Sequence, residues 1–194
     1  MKRIIISTSI LLLSLTACTD DTYEGSGLPI SEVREVPNFA KISSEGVFEV
    51  TVAQGDTQSV EIIADNNIIH RVKTQVVDNE LRLYLDDNNY KDITLKANIV
   101  AEKINGIKNT GAGNIDISNV DEPGNFDVYN SGTGNISISG SAESLTLFHE
   151  GDGMFKGFSF AVSDCNVNLI GSGDCEVLVD SKLNVNIEGS GHVY

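Results

Sequence analysis

The chain has 194 residues, of which 40% are apolar and 21% are charged, and its 28 acidic against 13 basic side chains give a net charge of −15. This apolar content is that of a globular chain and excludes a largely disordered one. So negative a surface repels nucleic acid and anionic lipid head groups, and we expect no nucleic-acid partner.

The N-terminus has the pattern of a cleavable export signal. Two basic residues precede an apolar run at residues 4–15, which is too short to span a bilayer comfortably. The run leads into LTAC at residues 15–18, which resembles the lipobox of bacterial lipoproteins. We therefore predict a signal peptide at residues 1–17 and acylation of Cys18, with the membrane bound through the acyl chains. The alternative is an ordinary secretory signal that happens to precede a cysteine.

Residues 18–37 are predicted to be the lipidated cysteine and a flexible tether, because they are polar, contain two prolines and lack periodicity. Signal cleavage would leave 11 basic against 28 acidic side chains and a net charge of −17. Asp20 and Asp21 resemble the acidic export signal of surface-exposed outer-membrane lipoproteins in Bacteroidetes. Alternatively, the two acids only keep the linker solvated.

Residues 38–108 have the pattern of an N-terminal β lobe. The segments GVFEVTV, SVEII and ELRLYL alternate between apolar and polar residues, as half-buried strands do. Turn signals separate them at residues 54–56 and 78–79. One short capped helical turn is expected at residues 65–70.

A Gly-x-Gly signature recurs through residues 109–194, with first glycines 18 to 21 residues apart. A period of about twenty residues is typical of a solenoid. The predicted fold is therefore all-β: a right-handed β-helix with two short strands in each coil, preceded by the N-terminal lobe. The alignment places apolar residues in inward rows, of which one contains Ile115, Ile136, Phe155, Cys175 and Val193.

The glycines of this signature are predicted to be structural turn residues, since a tight corner needs positive φ or close backbone approach. They are Gly111, Gly113, Gly132, Gly134, Gly151, Gly153, Gly171, Gly173, Gly189 and Gly191. A phosphate-binding loop is the rival interpretation, but it needs a following helix, and a strand pattern follows each signature. A calcium-binding repeat would have a period of nine.

The order of motifs resembles the head GIN domain family, auto-transporter adhesins found as lipoproteins in Bacteroidetes. The motifs are NFAKISSEGVFEVTVAQGD, IIHRVKTQVVDNELRLYL, KINGIKNTGAGNIDI and the later GSG turns, which together cover residues 38–194. The resemblance implies a right-handed β-helix, a role in adhesion and no catalytic residues. The chain departs from it at Tyr194, where the last coil is expected to be unfinished.

Enzymatic activity is not expected, and neither a metal nor another cofactor is predicted. Enzymes that cleave acidic glycans need paired carboxylates together with basic side chains that neutralise the substrate. The last arginine is Arg82, and after residue 108 only Lys156 and Lys182 are basic. The three histidines, at positions 70, 149 and 192, have no metal-ligand spacing.

Outward residues lie three before each first glycine, beginning with Lys108. The candidate binding face consists of the four that follow it: Tyr129, Phe148, Asn168 and Asn186. Exposed aromatic rings beside amides suit a surface glycan or a protein partner. The alternative is that the N-terminal lobe covers both rings. The leading functional hypothesis is a non-catalytic adhesin or binding module on the bacterial surface. The alternatives are an acidic spacer of the envelope and a glycan-binding or polysaccharide-acting β-helix protein.

Cys165 and Cys175 align with different apolar rows, which the predicted coil places on opposite walls. Packed sheets lie about 10 Å apart, whereas a disulfide needs Cα atoms within about 7 Å. We therefore expect two buried free thiols. His149 aligns with Asn109 and Asn130, two residues before the first glycine, and we predict that it is a corner residue.

Overall fold

The computed structural model describes residues 22–194, all of which belong to β strands, short connections or one turn of 3₁₀ helix. The signal peptide, Cys18 and the first residues of the tether lie outside the described residues. The N-terminal strands are β1 Thr22–Glu24, β2 Pro29–Val33, β3 Lys41–Ser44, β4 Glu49–Gln54, β5 Ser59–Asp65, β6 Val72–Val77, β7 Glu80–Leu85, β8 Asn89–Lys91, β9 Leu95–Ala101 and β10 Gly106–Asn109. The long strands are β11 Ile115–Asn130, β12 Ile136–Gly151, β13 Phe155–Gly171 and β14 Cys175–Gly189.

Two predictions for the N-terminal region need refinement. Part of the predicted tether is strand, since β1 pairs with β8 and β2 pairs with β5. The helical turn is a 3₁₀ helix at Ile69–Arg71, and no side chain caps it. Asp65 does not cap this turn, because its Oδ2 accepts a hydrogen bond from the Thr94 N–H at 2.6 Å.

Twelve of the strands form one continuous sheet. It runs in the order β2-β5-β9-β4-β11-β10-β3-β7-β6, and β12, β13 and β14 follow one another from the other side of β11. The long strands pair with one another in parallel. Antiparallel pairing joins β2 to β5, β5 to β9, and β6 to β7. The N-terminal lobe is therefore joined to the GxG region through the pairing of β11 with both β4 and β10.

The prediction of a right-handed β-helix is wrong, although the chain is all-β as expected. The structure is a curled, open half-barrel sheet rather than a solenoid of repeated coils. The sequence was interpreted as two short strands in each twenty-residue unit, with a corner between them. Instead, each unit is one strand of 15 to 17 residues. The physical reason is that β-bulges, as at Ile117/Val120 and Glu122/Asn125, bend β11 without ending its pairing.

The sheet curls strongly along the long strands. The Ile115 N–H at the start of β11 donates to the carbonyl of Asn135, only five residues beyond the end of the same strand. A straight strand of this length would extend about 50 Å, whereas five residues span at most about 18 Å. The strand must therefore bend back, which gives the sheet a concave apolar face.

The core lies on this concave face, and the predicted inward rows are paired across the strands as the alignment indicated. Ile115 is opposite Ile136, Ile136 opposite Phe155, and Phe155 opposite Cys175. All four side chains are fully buried. Leucine, valine and isoleucine from the N-terminal strands belong to the same apolar cluster, so one core supports the whole sheet.

Candidate functional site

The second half of each long strand contributes one side chain to an outward row across the sheet. In this row Lys108 is opposite Tyr129, Tyr129 is opposite Phe148, Phe148 is opposite Asn168, and Asn168 is opposite Asn186. Because strand pairing is in register, residues far apart in sequence lie about 5 Å apart here. The structure thus brings the four residues of the suggested binding face together.

The two aromatic residues of the row are stacked on each other. The ring centroids of Tyr129 and Phe148 lie 5.1 Å apart and the ring planes differ by 4°. Lys108 Nζ lies 5.7 Å from the Tyr129 centroid. One face of the Phe148 ring is therefore covered by Tyr129, while the other face points towards the smaller Asn168.

Asparagine side chains form two hydrogen-bonded pairs beyond the aromatic rings. Asn186 Nδ2 donates to Asn168 Oδ1 at 2.9 Å. In the neighbouring outward row, Asn184 Nδ2 donates to Asn166 Oδ1 at 2.8 Å. Asn186 Nδ2 also donates to Glu188 Oε1 at 3.4 Å. The Nδ2 groups of Asn166 and Asn168 keep N–H donors for a ligand or solvent.

A groove of about 280 Å³ lies between the exposed ring face and the asparagines. Its lining is Thr146, Leu147, Phe148, Asn166, Val167, Asn168, Asn184, Val185 and Asn186. None of these side chains is charged, although the chain as a whole is strongly acidic. The groove therefore combines an aromatic wall with a neutral floor of amides.

A second, smaller groove of about 200 Å³ lies on the Tyr129 side of the stacked pair. Here Lys41 Nζ and Asp127 Oδ2 form an ion pair at 3.0 Å. The N-terminal lobe does not cover the aromatic rings, because its strand β10 continues the sheet beside them, with Lys108 opposite Tyr129. Both rings remain half-exposed. The two faces of the stacked pair thus meet different chemistry, charged on one side and neutral on the other.

Sequence reasoning missed a larger cleft of about 560 Å³ near the N-terminus. Its lining is Glu45, Gly46, Val47, Tyr84, Leu85, Asp86, Asn88, Tyr90, Asp92 and Ile93. The alternation of aromatic and acidic residues in YLDDNNY, at positions 84–90, was the available signal. This segment contacts Arg71, which in turn contacts Tyr23, and both residues are distant from it in sequence.

Most of the polar side chains in the wall of this cleft are already paired with the protein. Asp86 accepts hydrogen bonds from Tyr90, from Asn88 and from Arg71, whose Nη1 lies 3.1 Å from Asp86 Oδ2. These bonds, that of Tyr90 above all, lower the pKa of the Asp86 carboxyl. The Arg71 guanidinium also lies 3.6 Å from the Tyr23 ring centroid in β1. The network therefore holds the N-terminal strand, and we favour the groove beside Phe148 as the binding site.

The residues that precede the glycines stabilise the connections between long strands. Asn109 Nδ2 donates to Gly113 O at 3.1 Å, and Asn130 Nδ2 donates to Gly134 O at 3.0 Å. Leu169 and Ile187, at the corresponding later positions, have no polar group that could form this bond.

The recurring glycines lie where successive connections stack on one another. A Cβ added to Gly132 would lie 1.8 Å from Gly111 O, and one added to Gly134 would lie 1.9 Å from Gly113 O. These distances leave no room for any other residue. Among the first glycines, only those at 151, 171 and 189 have positive φ. Close backbone approach is therefore the more general requirement.

The two cysteines are buried and free, as predicted. Burial raises the pKa of the Cys165 thiol to about 11 and that of Cys175 to about 12. Within residues 22–194, no group of three or more His, Cys, Asp or Glu residues could hold a metal ion. In the same range no helix is long and apolar enough to cross a bilayer.

Comparison with known proteins shows the family of this chain. The family described as "Putative auto-transporter adhesin, head GIN domain" matches residues 38–194. The chain belongs to this head GIN domain family. No curated protein shows significant similarity to it.

Several crystal structures of bacterial proteins share the fold. A putative adhesin from Bacteroides fragilis is 20% identical with a TM-score of 0.68, over 88% of this chain and 98% of its own. A putative adhesin from Parabacteroides merdae is 17% identical with a TM-score of 0.56, over 89% and 98%. A putative lipid binding protein from Parabacteroides distasonis is 17% identical with a TM-score of 0.53, over 90% and 100%. At these identities the likeness concerns the fold alone.

Proposed function

We propose that this head GIN domain is a non-catalytic adhesion module that binds a neutral glycan in the groove beside Phe148. The observation that carries the proposal is the exposed face of the Phe148 ring above a floor of four asparagines. The family supports a role in adhesion, and the groove supplies the chemistry through which adhesion to a sugar would occur.

The groove suits a sugar ring because it offers both kinds of contact that a sugar makes. A pyranose has a weakly apolar face that packs on an aromatic ring, and its hydroxyl groups donate and accept hydrogen bonds. Phe148 provides the apolar wall, while Asn168 and Asn186 provide amide donors and acceptors. The volume of 280 Å³ lies just below the roughly 300–1,000 Å³ typical of small-ligand sites, so one or two sugar units would fit.

Electrostatics favours a neutral glycan over an acidic one. With the predicted signal removed, the chain would carry a net charge of −17, which repels sulfated or sialylated sugars. The groove itself has no basic side chain in its lining. A neutral ligand avoids this repulsion, and its desolvation costs less than that of a charged ligand.

We further propose that the domain is held on the outer membrane through acylated Cys18 and faces the cell exterior. The acidic pair Asp20 and Asp21 resembles an export signal of surface lipoproteins. The first strand begins at Thr22, four residues after Cys18, and is fixed to the domain by its pairing with β8. Four residues span at most about 14 Å, so the domain would stand close to the membrane.

Binding to a defined panel of neutral, sialylated and sulfated glycans tests the proposed ligand. We expect binding confined to neutral glycans, and we expect Phe148→Ala to weaken it at least about tenfold. Phe158→Ala is the matched control, because Phe158 is an exposed phenylalanine of β13 outside the groove. Equal losses in both variants would contradict the assignment. Absence of glycan binding would favour the alternative of an acidic envelope spacer.

Cell fractionation and surface labelling test the anchorage. Cys18→Ala should release the protein from membranes washed in high salt, because acylation is the proposed anchor. A reagent that cannot cross the outer membrane should label lysines of the wild-type protein on whole cells. Retention of the variant would refute acylation, and labelling only after lysis would refute surface display.

A further inference from the structure

The last strand of the sheet has a bare edge. Among the described strands, β14 pairs only with β13. The C-terminal residues cover only its first part, through the bridge between Cys175 and Val193 and the hydrogen bond from the Val177 N–H to the Tyr194 carbonyl. Residues 182–189 therefore present unpaired backbone groups along one side.

The inward side chains of this segment are unusually exposed. Leu183, Val185 and Ile187 are 46%, 42% and 45% exposed. Their counterparts on β13, one strand further in, are at most 4% exposed; they are Cys165, Val167 and Leu169. An apolar row beside unpaired backbone groups is a surface that natural proteins usually cover.

We propose that this edge is covered by the same edge of a second copy, through antiparallel pairing of β14 about a two-fold axis at Val185. An axis at that residue places Leu183 opposite the partner copy's Ile187, and Asn184 opposite its Asn186. The exposed apolar rows of the two copies then meet on one face of a continuous sheet. Two-fold pairing is isologous, so the contact closes and does not propagate into a fibre.

Charge complementarity specifies this register. With the axis at Val185, Lys182 lies opposite the partner copy's Glu188 on the outward face, and the pair occurs twice. Within residues 22–194, neither Lys182 nor Glu188 belongs to an ion pair of its own chain. Shifting the axis by one residue loses this match. Directly opposed unlike charges stabilise a strand pair, whereas like charges destabilise it.

Disulfide trapping in the full-length chain, expressed in its own cell envelope, tests the pairing. Directly opposed residues of antiparallel strands have Cα atoms about 4.5–5.5 Å apart, which suits a disulfide. Val185→Cys should therefore form a covalent homodimer on a non-reducing gel. Asn184→Cys is the matched control. The Cα atoms of residue 184 in the two copies would lie about 8 Å apart, which is too far for a disulfide. The native Cys165 and Cys175 are buried, and the chain without an added cysteine gives the background level of cross-linking.

A charge exchange in the Val185→Cys background tests the register. Lys182→Glu should lower the cross-linked fraction about fivefold, because it places two glutamates opposite each other. Adding Glu188→Lys should restore the fraction, which also shows that the variants fold. No homodimer at position 185, equal trapping at position 184, or no restoration would overturn the proposal. A covalent adduct with a different protein would also overturn it, in favour of a heterologous partner.

Discussion

His149, near the end of β12, donates a hydrogen bond from Nε2 to the carbonyl oxygen of Gly153, in the connection to β13, at 2.7 Å. The other ring nitrogen, Nδ1, lies 3.4 Å from Asn130 Nδ2, which donates to it. The imidazole is fully buried and makes both contacts in its neutral form. Burial lowers the pKa of His149 below its ordinary value of 6.5, and the bond to Gly153 opposes this only in part.

Stability should therefore fall in mild acid. The pKa of His149 is lower in the folded than in the unfolded chain, so its stabilising contribution is complete above pH 6.5 and is lost as the pH falls towards the folded value. His149→Asn should keep the turn, because Asn109 and Asn130 make the same bond. Thermal unfolding at pH 8 and pH 5.5 should show a smaller acid shift for this variant. His70→Asn, at an exposed histidine, is the control, and an unchanged shift in His149→Asn would contradict the assignment.

The stacked connections make a strong prediction for glycine substitutions. Gly134→Ala should destabilise the domain by about 3 kcal/mol or more, because the new Cβ would lie 1.9 Å from backbone oxygen. In Gly124→Ala the nearest atom would be the flexible Glu122 carboxylate at 3.3 Å, so this variant should stay within about 1 kcal/mol of wild type. Chemical denaturation measures both values. Similar losses would show that the close approach is not the cause.

The cysteines should be inert in the folded protein. Thiols with pKa values of about 11 and 12 carry almost no thiolate at pH 8, and both side chains are buried. A Cys18→Ala chain treated with iodoacetamide should gain no label when folded. After unfolding without reductant it should gain two, as measured by intact mass. A mass that stays unchanged on unfolding would mean that the two sulfurs are joined.

The N-terminal strand should depend on Arg71. Arg71→Ala removes both the ion pair with Asp86 and the contact with the Tyr23 ring. We expect faster hydrogen exchange at residues 22–25, with little change in the global melting temperature. Arg82→Ala removes the same charge from an exposed ion pair with Glu80 and should leave that exchange unchanged. Equal exchange in both variants would show that β1 is held by backbone pairing alone.

The apolar rows could be predicted from the sequence, whereas the shape of the sheet could not. Ile115, Ile136 and Phe155 follow the glycines at a constant distance, and parallel pairing preserves that distance across strands. The bend inside β11 comes from bulges. Asn119 has a φ of +61° there, and no turn motif in the sequence predicts it. Polar residues within a strand can signal a corner or a bulge equally well, which is why the β-helix was predicted.

The sequence predicted which residues line up beside the candidate groove but not the shape of the groove. Alignment on the glycines placed Phe148 and Asn168 in one row, as the structure has them. The orientation of the ring was not predictable, because it depends on stacking against Tyr129. The exposure of Leu183 was also missed, since a row pattern reveals which residues face inward but not where the row ends.

The long sequence separation between paired strands determines when the sheet can form as the chain is made. Lys41 of β3 pairs with Gly106, and Val50 of β4 pairs with Ile115, each across 65 residues. One edge of β3 and one edge of β4 must therefore stay unpaired until more than half of the chain has emerged, although the other edges can already pair with β7 and β9. Unpaired edges of this kind are prone to aggregate, so the export proposed above would call for a chaperone that binds unpaired strands.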